Sequence, residues 1–307
     1  MTVSFEHVTK TFGTGISALD DISFTIEPGE FVVLTGESGA GKTTIMRLLL
    51  REMHPTEGDV HFDGRNIRKL RSRQLHSLRR MISVVFQDYK LLPEMTVYEN
   101  VSLPLEIAGL KQKEIKERVL DVFELVGLTG KEQYFPSQLS GGEAQRVGIA
   151  RALVVGPKVI FADEPTGNLD PKTGDSIIDL LVKINGFGPT VLLSTHNLDY
   201  AKRDNVRHIQ LQKGRLVSDE KKKSTAEVPA ESKKAVPVQS IIVRKPDVEP
   251  EKKTEEKTVK AEKSEKNEKL VKPQEHLKEK RTNSQEKKTS EEQDVPQKKK
   301  YMVETVE

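Results

Sequence analysis

The stretch Gly36-Glu37-Ser38-Gly39-Ala40-Gly41-Lys42-Thr43 constrains this chain more than any other, because it fits G-x-x-x-x-G-K-[ST]. Such a loop needs a strand feeding it and a helix leaving it. Phe31-Val32-Val33-Leu34 is an apolar run that suits a buried strand, and Thr44 to Leu50 suits a helix. In that setting the glycines let backbone N–H groups converge on phosphate oxygens, and the helix start adds partial positive charge. Lys42 is expected to reach the β- and γ-phosphates, and the Thr43 hydroxyl to ligate Mg²⁺. A Gly-rich turn that happens to contain Lys-Thr is the bland alternative, and the flanking strand and helix argue against it.

Composition divides the 307 residues into one domain and a tail. Residues 219–307 carry 23 Lys and Arg and 20 Asp and Glu, so the formal net charge of +3 sits there and residues 1–218 are neutral. The basic balance is therefore no argument for nucleic-acid binding by the domain. The tail's Lys/Glu mixture buries too little apolar surface to offset ordering entropy, so it reads as disordered. Within it, Glu262 to Lys280 suits a transient helix through Glu–Lys pairs. Val236 to Arg244 is more apolar; it is either a strand or peptide for a partner or a chance apolar patch. The absence of Cys excludes disulfides and thiolate metal sites. The N-terminus lacks a basic region followed by an apolar stretch, and no run approaches the ~18 apolar residues of a membrane span. A cytoplasmic location is the default expectation.

Short apolar or alternating runs at Val3 to Val8, Ile22 to Ile26 and Phe31 to Leu34 read as strands. Val60-His61-Phe62 suits a hairpin or edge strand, and Arg65 to Arg80 suits a helix with a solvated basic face. Ile82 to Phe86 is the next strand. Thr96 with Glu99 forms a capping box, and Ile115, Val119, Val122, Phe123 and Val126 share one face of a helix that Gly127 closes. Residues of about 87–137 thus form a mostly helical insert. Helices over Ala144 to Val154 and Pro171 to Ile184 alternate with strands at Val159 to Ala162 and Thr190 to Ser194, and a hairpin near Val206 to Val217 closes the domain. The alternation implies an α/β domain with a mostly parallel sheet covered on both faces.

Asp163 and Glu164 follow an apolar strand at its carboxyl end, where open α/β sheets place ligands. An Asp there suits Mg²⁺ opposite Thr43, and the adjacent Glu164 suits a general base that polarises water. Gln87, after another strand, can contact the metal or the attacking water through its amide, and His196 can bond a γ-phosphate oxygen. Leu139-Ser140-Gly141-Gly142-Glu143 offers a hydroxyl and two glycine N–H groups at a helix start. It is a second anion cradle in one chain, and one explanation is that each cradle serves a different end of a shared site.

Taken together, residues 1–218 resemble the nucleotide-binding subunit of an ABC transporter. GESGAGKT resembles the Walker A loop, VIFADEP the Walker B strand and LSGGE the signature sequence; Gln87 stands at the Q-loop, Asn168-Leu169-Asp170 at the D-loop and His196 at the switch histidine. Phe12 stands where an aromatic, usually Tyr, stacks on adenine. The resemblance implies a P-loop NTPase of ABC type, with a mostly parallel core sheet, an antiparallel β subdomain and a helical subdomain, followed by the tail. It implies ATP along Gly36 to Thr44, Mg²⁺ at Thr43, Gln87 and Asp163, and hydrolysis through Glu164, His196 and Gln87. It also implies a head-to-tail homodimer in which Ser140, Gly141, Gly142 and Glu143 of one chain cap the ATP held by the other, with Asp170 coupling the two sites. VFQDYKLLPEMTVYENVSLPLEIAG and ADEPTGNLD resemble the cell-division branch of the family, whose members pair with an FtsX-like integral membrane protein at the cytoplasmic face of the membrane. Division-ring proteins are further candidate partners, nucleic acid is not, and lipoprotein-releasing LolD and MacB-type exporters are the next nearest pattern.

Overall fold

The computed structural model describes residues 1–13 and 15–221; the stretches Val236 to Arg244 and Glu262 to Lys280 lie outside the described residues. In chain order the elements are β1 (Val3–Thr11), β2 (Ser17–Ile26), β3 (Phe31–Thr35), α1 (Lys42–Leu49), β4 (Glu57–Phe62), β5 (Arg65–Asn66), α2 (Ser72–Met81) and β6 (Ile82–Phe86). There follow α3 (Val97–Ile107), α4 (Gln112–Val126), α5 (Gly141–Leu153), β7 (Val159–Asp163), α6 (Pro171–Asn185), β8 (Thr190–Thr195), β9 (Arg207–Gln212) and β10 (Arg215–Lys221).

Two sheets share the work. A six-stranded sheet runs β10-β9-β3-β8-β7-β6, parallel from β9 to β6 with β10 antiparallel at its edge. An antiparallel sheet runs β2-β1-β4-β5. β3 shows why its sequence is an unbroken apolar run: all five residues are buried. Phe31 and Val33 enter a core with the helices α3 to α6, while Val32 and Leu34 enter a second core against the antiparallel sheet. Ile160 and Ala162 of β7 divide from Val159 and Phe161 in the same way.

The helical part follows its sequence cues. The Thr96 hydroxyl accepts from the Glu99 N–H at 3.2 Å, and the Glu99 carboxylate accepts from the Thr96 N–H at 2.8 Å, closing the box that starts α3. Ile115, Val119, Val122, Phe123 and Val126 of α4 are fully buried. Gly127 ends that helix at φ 73°, a conformation that L side chains resist.

Two expectations need correction. Arg65 to Arg80 is not one helix. The Asn66 side chain accepts from the Arg68 N–H at 2.9 Å and starts a 3₁₀ turn over Ile67–Lys69; Leu70 is extended, and α2 begins only at Ser72. Local Asx chemistry outcompetes helical spacing there. The closing strand also runs past Ser218. Within it, Asp219 takes a two-pronged bond from Arg207, at 2.7 Å to each carboxylate oxygen, and Lys221 pairs with Glu30. Arg207 also reaches Glu30 at 2.9 Å and the Thr25 carbonyl. Burial alone would raise the Glu30 carboxyl pKa; Lys221, the Glu27 backbone and Arg207 outweigh it and hold it below the usual range.

Asp219 to Lys221 therefore belong to the fold. A chain ending at Ser218 is expected to be about 1–3 kcal/mol less stable than one ending at Lys221, because Arg207 and Glu30 each lose a charged partner. Denaturant midpoints of the two truncations check this.

Candidate functional site

Strands β3, β7 and β8 lie parallel and in register, Thr35 opposite Thr195 and Asp163 opposite Ser194, so their carboxyl ends open at one edge. The phosphate loop leaves β3 there. A Cβ at Gly36 would stand 2.6 Å from the Leu211 carbonyl oxygen, and one at Gly41, where φ is 107°, would stand 2.6 Å from that of Ala18. Only glycine fits at these two bends. Gly41 precedes α1 without a side-chain cap, leaving the helix start to the loop's own cavity. That cavity, of about 160 Å³, is bounded by the loop from Ser38 to Thr44 and by Glu164.

Lys42 is only 6% exposed. Its ammonium donates to the carbonyls of Gly36 at 2.7 Å and Glu37 at 3.2 Å, and pairs with Glu164 Oε1 at 3.2 Å. The other oxygen of Glu164 meets His196 Nδ1 at 2.7 Å. Glu164 sits at φ 48° with its N–H bonded to the Ser194 carbonyl at 3.0 Å, which turns its side chain away from that of Asp163. Lys42, Glu164 and His196 thus form one polar chain at the carboxyl edge of the sheet. In this state the lysine is answered by the carboxylate.

Thr43 Oγ1 donates to Asp163 Oδ2 at 3.1 Å, and Ser194 Oγ donates to Asp163 Oδ1 at 2.6 Å. A hydroxyl beside a carboxylate is a hard oxygen pair, suited to Mg²⁺. Among the described residues no three His, Cys, Asp or Glu side chains group as a metal cage. The donors therefore fit an ion that takes its remaining ligands from phosphate and water, and not a structural zinc. Ser194, which fixes the Asp163 carboxylate, escaped the sequence reading; its only signal is a hydroxyl on an otherwise apolar strand end.

Gln87 is not brought to Thr43 and Asp163 by any hydrogen bond. Its Nε2 donates to Asn168 Oδ1 and its carbonyl accepts from Asn168 Nδ2, both at 3.2 Å. The next residues, Tyr89 and Lys90, have φ of 58° and 50°, and Arg151 of α5 donates to their carbonyls at 2.9 and 2.7 Å. The sequence marks Asn168 only as a D-loop residue and gives Arg151 no role, since nothing in a sequence marks a side chain that holds backbone carbonyls. Phe12 stands beyond β1, 41% exposed, with the Lys10 ammonium 5.5 Å from its ring centroid. The ring is open to a planar partner.

The second cradle is built as a helix start. The Ser140 hydroxyl accepts from the Glu143 N–H at 3.3 Å, and the Glu143 carboxylate accepts from the Ser140 N–H and hydroxyl, both at 2.9 Å. Gly142 is glycine because a Cβ would stand 2.5 Å from Thr173 Cγ2. Among the described residues no hydrogen bond or ion pair joins Ser140 to Glu143 with the phosphate loop. Asp170 caps α6, accepting from the Thr173 N–H at 3.0 Å; the hydroxyl and N–H of Thr173 hold its carboxyl below the usual range. It lines a separate cavity of about 500 Å³ with Gly167, His196 and Tyr200.

Lys131, 2.8 Å from Glu143, followed by the Ser140 N–H and hydroxyl, brings the Glu143 carboxyl down to about 2. A depressed carboxyl stabilises the fold above its unfolded value near 4.5 and loses that contribution as pH falls toward about 2. Lys131→Ala is expected to move the Glu143 titration upward, read as its carboxyl chemical shift against pH. Glu164→Gln is expected to tighten metal-free binding of a non-hydrolysable ATP analogue roughly fivefold, about 1 kcal/mol, by freeing Lys42. Unchanged affinity in a fluorescence titration contradicts that account of the lysine.

The model of a family described as ABC transporter matches residues 19–167. The chain is 49% identical over 223 residues to the cell division ATP-binding protein FtsE of Mycobacterium tuberculosis, covering 72% of this chain and 97% of that protein. It is 45% identical over 214 residues to FtsE of Escherichia coli K12, covering 70% and 96%. Among solved structures, a dimeric bacterial ABC transporter cassette aligns with a TM-score of 0.65 at 38% identity, covering 72% of this chain and 99% of that one. The same cassette in a post-hydrolysis state bound to ADP and Pi aligns equally well.

Proposed function

We propose a working cycle for this chain from the premise that it belongs to the FtsE family of cell-division ATP-binding proteins within the ABC transporter superfamily, as the ATPase subunit of a cell-division ABC complex. ATP enters along the loop from Gly36 to Thr44, its adenine against the exposed ring of Phe12. Its terminal phosphates compete with Glu164 for the Lys42 ammonium, so binding breaks the 3.2 Å ion pair and releases the carboxylate. Glu164 then takes the proton of the attacking water, while His196, already 2.7 Å from that carboxylate, bonds the transferring phosphoryl oxygen. Thr43 and Asp163, with Gln87, would hold Mg²⁺, which would supply charge neutralisation at the phosphates.

Ser140 to Glu143 make no polar contact with the loop of their own chain. This observation carries the dimer: a glycine-rich helix start out of polar contact with its own chain's phosphate loop fits the ATP of a second copy. In the proposed head-to-tail pair, Ser140, Gly141 and Gly142 of each chain cap the γ-phosphate on the other, and Asp170 couples the two sites. ATP closes the pair and hydrolysis opens it. The helical insert passes that motion to an FtsX-like integral membrane protein, which in turn controls peptidoglycan hydrolysis outside the cell. No helix among the described residues is long and apolar enough to cross a membrane; attachment at the cytoplasmic face runs through the partner.

Glu164→Gln is expected to slow phosphate release by about 10²–10⁴-fold and to trap an ATP-dependent dimer on gel filtration. Normal turnover in that variant removes Glu164 as the base. Isolating the trapped variant from membranes together with a four-span FtsX-like protein supports the division reading. Recovery of an exporter permease in its place overturns it.

A further inference from the structure

The loop after β6 is held by groups to which the cycle above gives no role, and the most specific of them is Asn168. Its side chain engages Gln87 twice, at the main-chain carbonyl and at the side-chain amide, both at 3.2 Å. Gly167 makes the seat possible. A Cβ there would stand 2.7 Å from Gln87 Nε2 and 2.9 Å from its Cδ, closer than such atoms approach. An absent side chain at 167 and an amide at 168 together form a socket for one glutamine.

The pairing also sets which end of each amide faces which way. The Gln87 main-chain carbonyl only accepts, so Asn168 turns its NH₂ toward it. Asn168 then offers Oδ1, which also only accepts, so Gln87 must answer with its own NH₂. The end of the Gln87 amide left over is the carbonyl oxygen, the atom a hard cation takes. Without Asn168, either end of that amide could turn to the site, and the nitrogen end repels a cation. A side chain that fixes a neutral ligand's orientation through its outer hydrogen bonds tunes metal affinity without touching the metal.

We infer that Asn168, seated by Gly167, is a positioning residue that presents the oxygen of Gln87 to the divalent cation of the ATP site. The inference rests on the reading of Gln87 as a metal ligand and adds to it the group that orients the ligand. Because Asn168 lies two residues before Asp170, the same segment that fixes Gln87 also starts α6, where the partner's site is proposed to connect.

The test uses Mn²⁺ as the spectroscopic probe. The full chain is saturated with a non-hydrolysable ATP analogue, and Mn²⁺ binding is titrated by electron paramagnetic resonance, with the analogue alone as blank. Asn168→Ala and Gly167→Ala are each expected to weaken Mn²⁺ about three- to tenfold, while analogue affinity without metal is unchanged. The glycine variant dislodges Gln87 with Asn168 still present, so it tests the socket even if the other variant folds poorly. In a Gln87→Ala background, which itself weakens Mn²⁺, adding Asn168→Ala is expected to cost nothing further. Unchanged Mn²⁺ affinity in both Asn168→Ala and Gly167→Ala, or additive losses with Gln87→Ala, overturns the inference while leaving Gln87 a ligand. If Gln87→Ala alone leaves Mn²⁺ binding as it was, the ligand reading falls and this inference falls with it.

Discussion

The in-register pairing of β3, β7 and β8 is the constraint on which the rest of the molecule depends. Parallel strands bonded residue for residue must end together, and here they end at Thr35, Asp163 and Thr195. Whatever follows each strand is therefore delivered to one edge: the phosphate loop, Glu164 and His196. The sheet is apolar on both faces, so a slip of one residue would send each strand's side chains into the opposite core, whose packing they do not fit. Burial on both sides thus protects the registration of these groups. The polar chain from Lys42 through Glu164 to His196 is a product of that registration.

A second consequence concerns charge. Lys42 is nearly buried, and a buried ammonium needs a counter-charge or dense hydrogen bonding. It has two carbonyls and one carboxylate. The same carboxylate is the group proposed to activate water, so that base and the lysine are paired with each other. In the proposed cycle a triphosphate offers the lysine a stronger partner. Binding and arming of the base are then one event.

Much of this was legible in the amino-acid order. The glycines of the phosphate loop, the apolar run before Asp163 and the Thr96–Glu99 box are local patterns with local causes, and they appear where their spacing puts them. What stayed hidden depends on residues far apart in sequence. Ser194 earns its role from a strand partner 31 residues away, and Arg151 and Asn168 from backbone carbonyls of a loop they meet only in the fold. Arg65 to Arg80 misled for the opposite reason. Its leucine spacing was helical, but one Asn side chain at a bend was enough to delay the helix by several residues.

The hairpin of β9 and β10 decides how the domain answers a pull. β10 lies at the sheet's edge and pairs only with β9, and its last described residue, Lys221, stands opposite Arg207, where β9 begins. Tension applied there would lift β10 from its open end, breaking ladder bonds in sequence instead of all at once. The first resistance met is the cluster of Arg207, Glu30, Asp219 and Lys221. Peeling one edge strand leaves β3 flanked by β9 and β8, and a pull reaches the phosphate loop only once it arrives at the β9–β10 turn, where the Gly214 N–H donates to the Ala40 carbonyl at 3.2 Å.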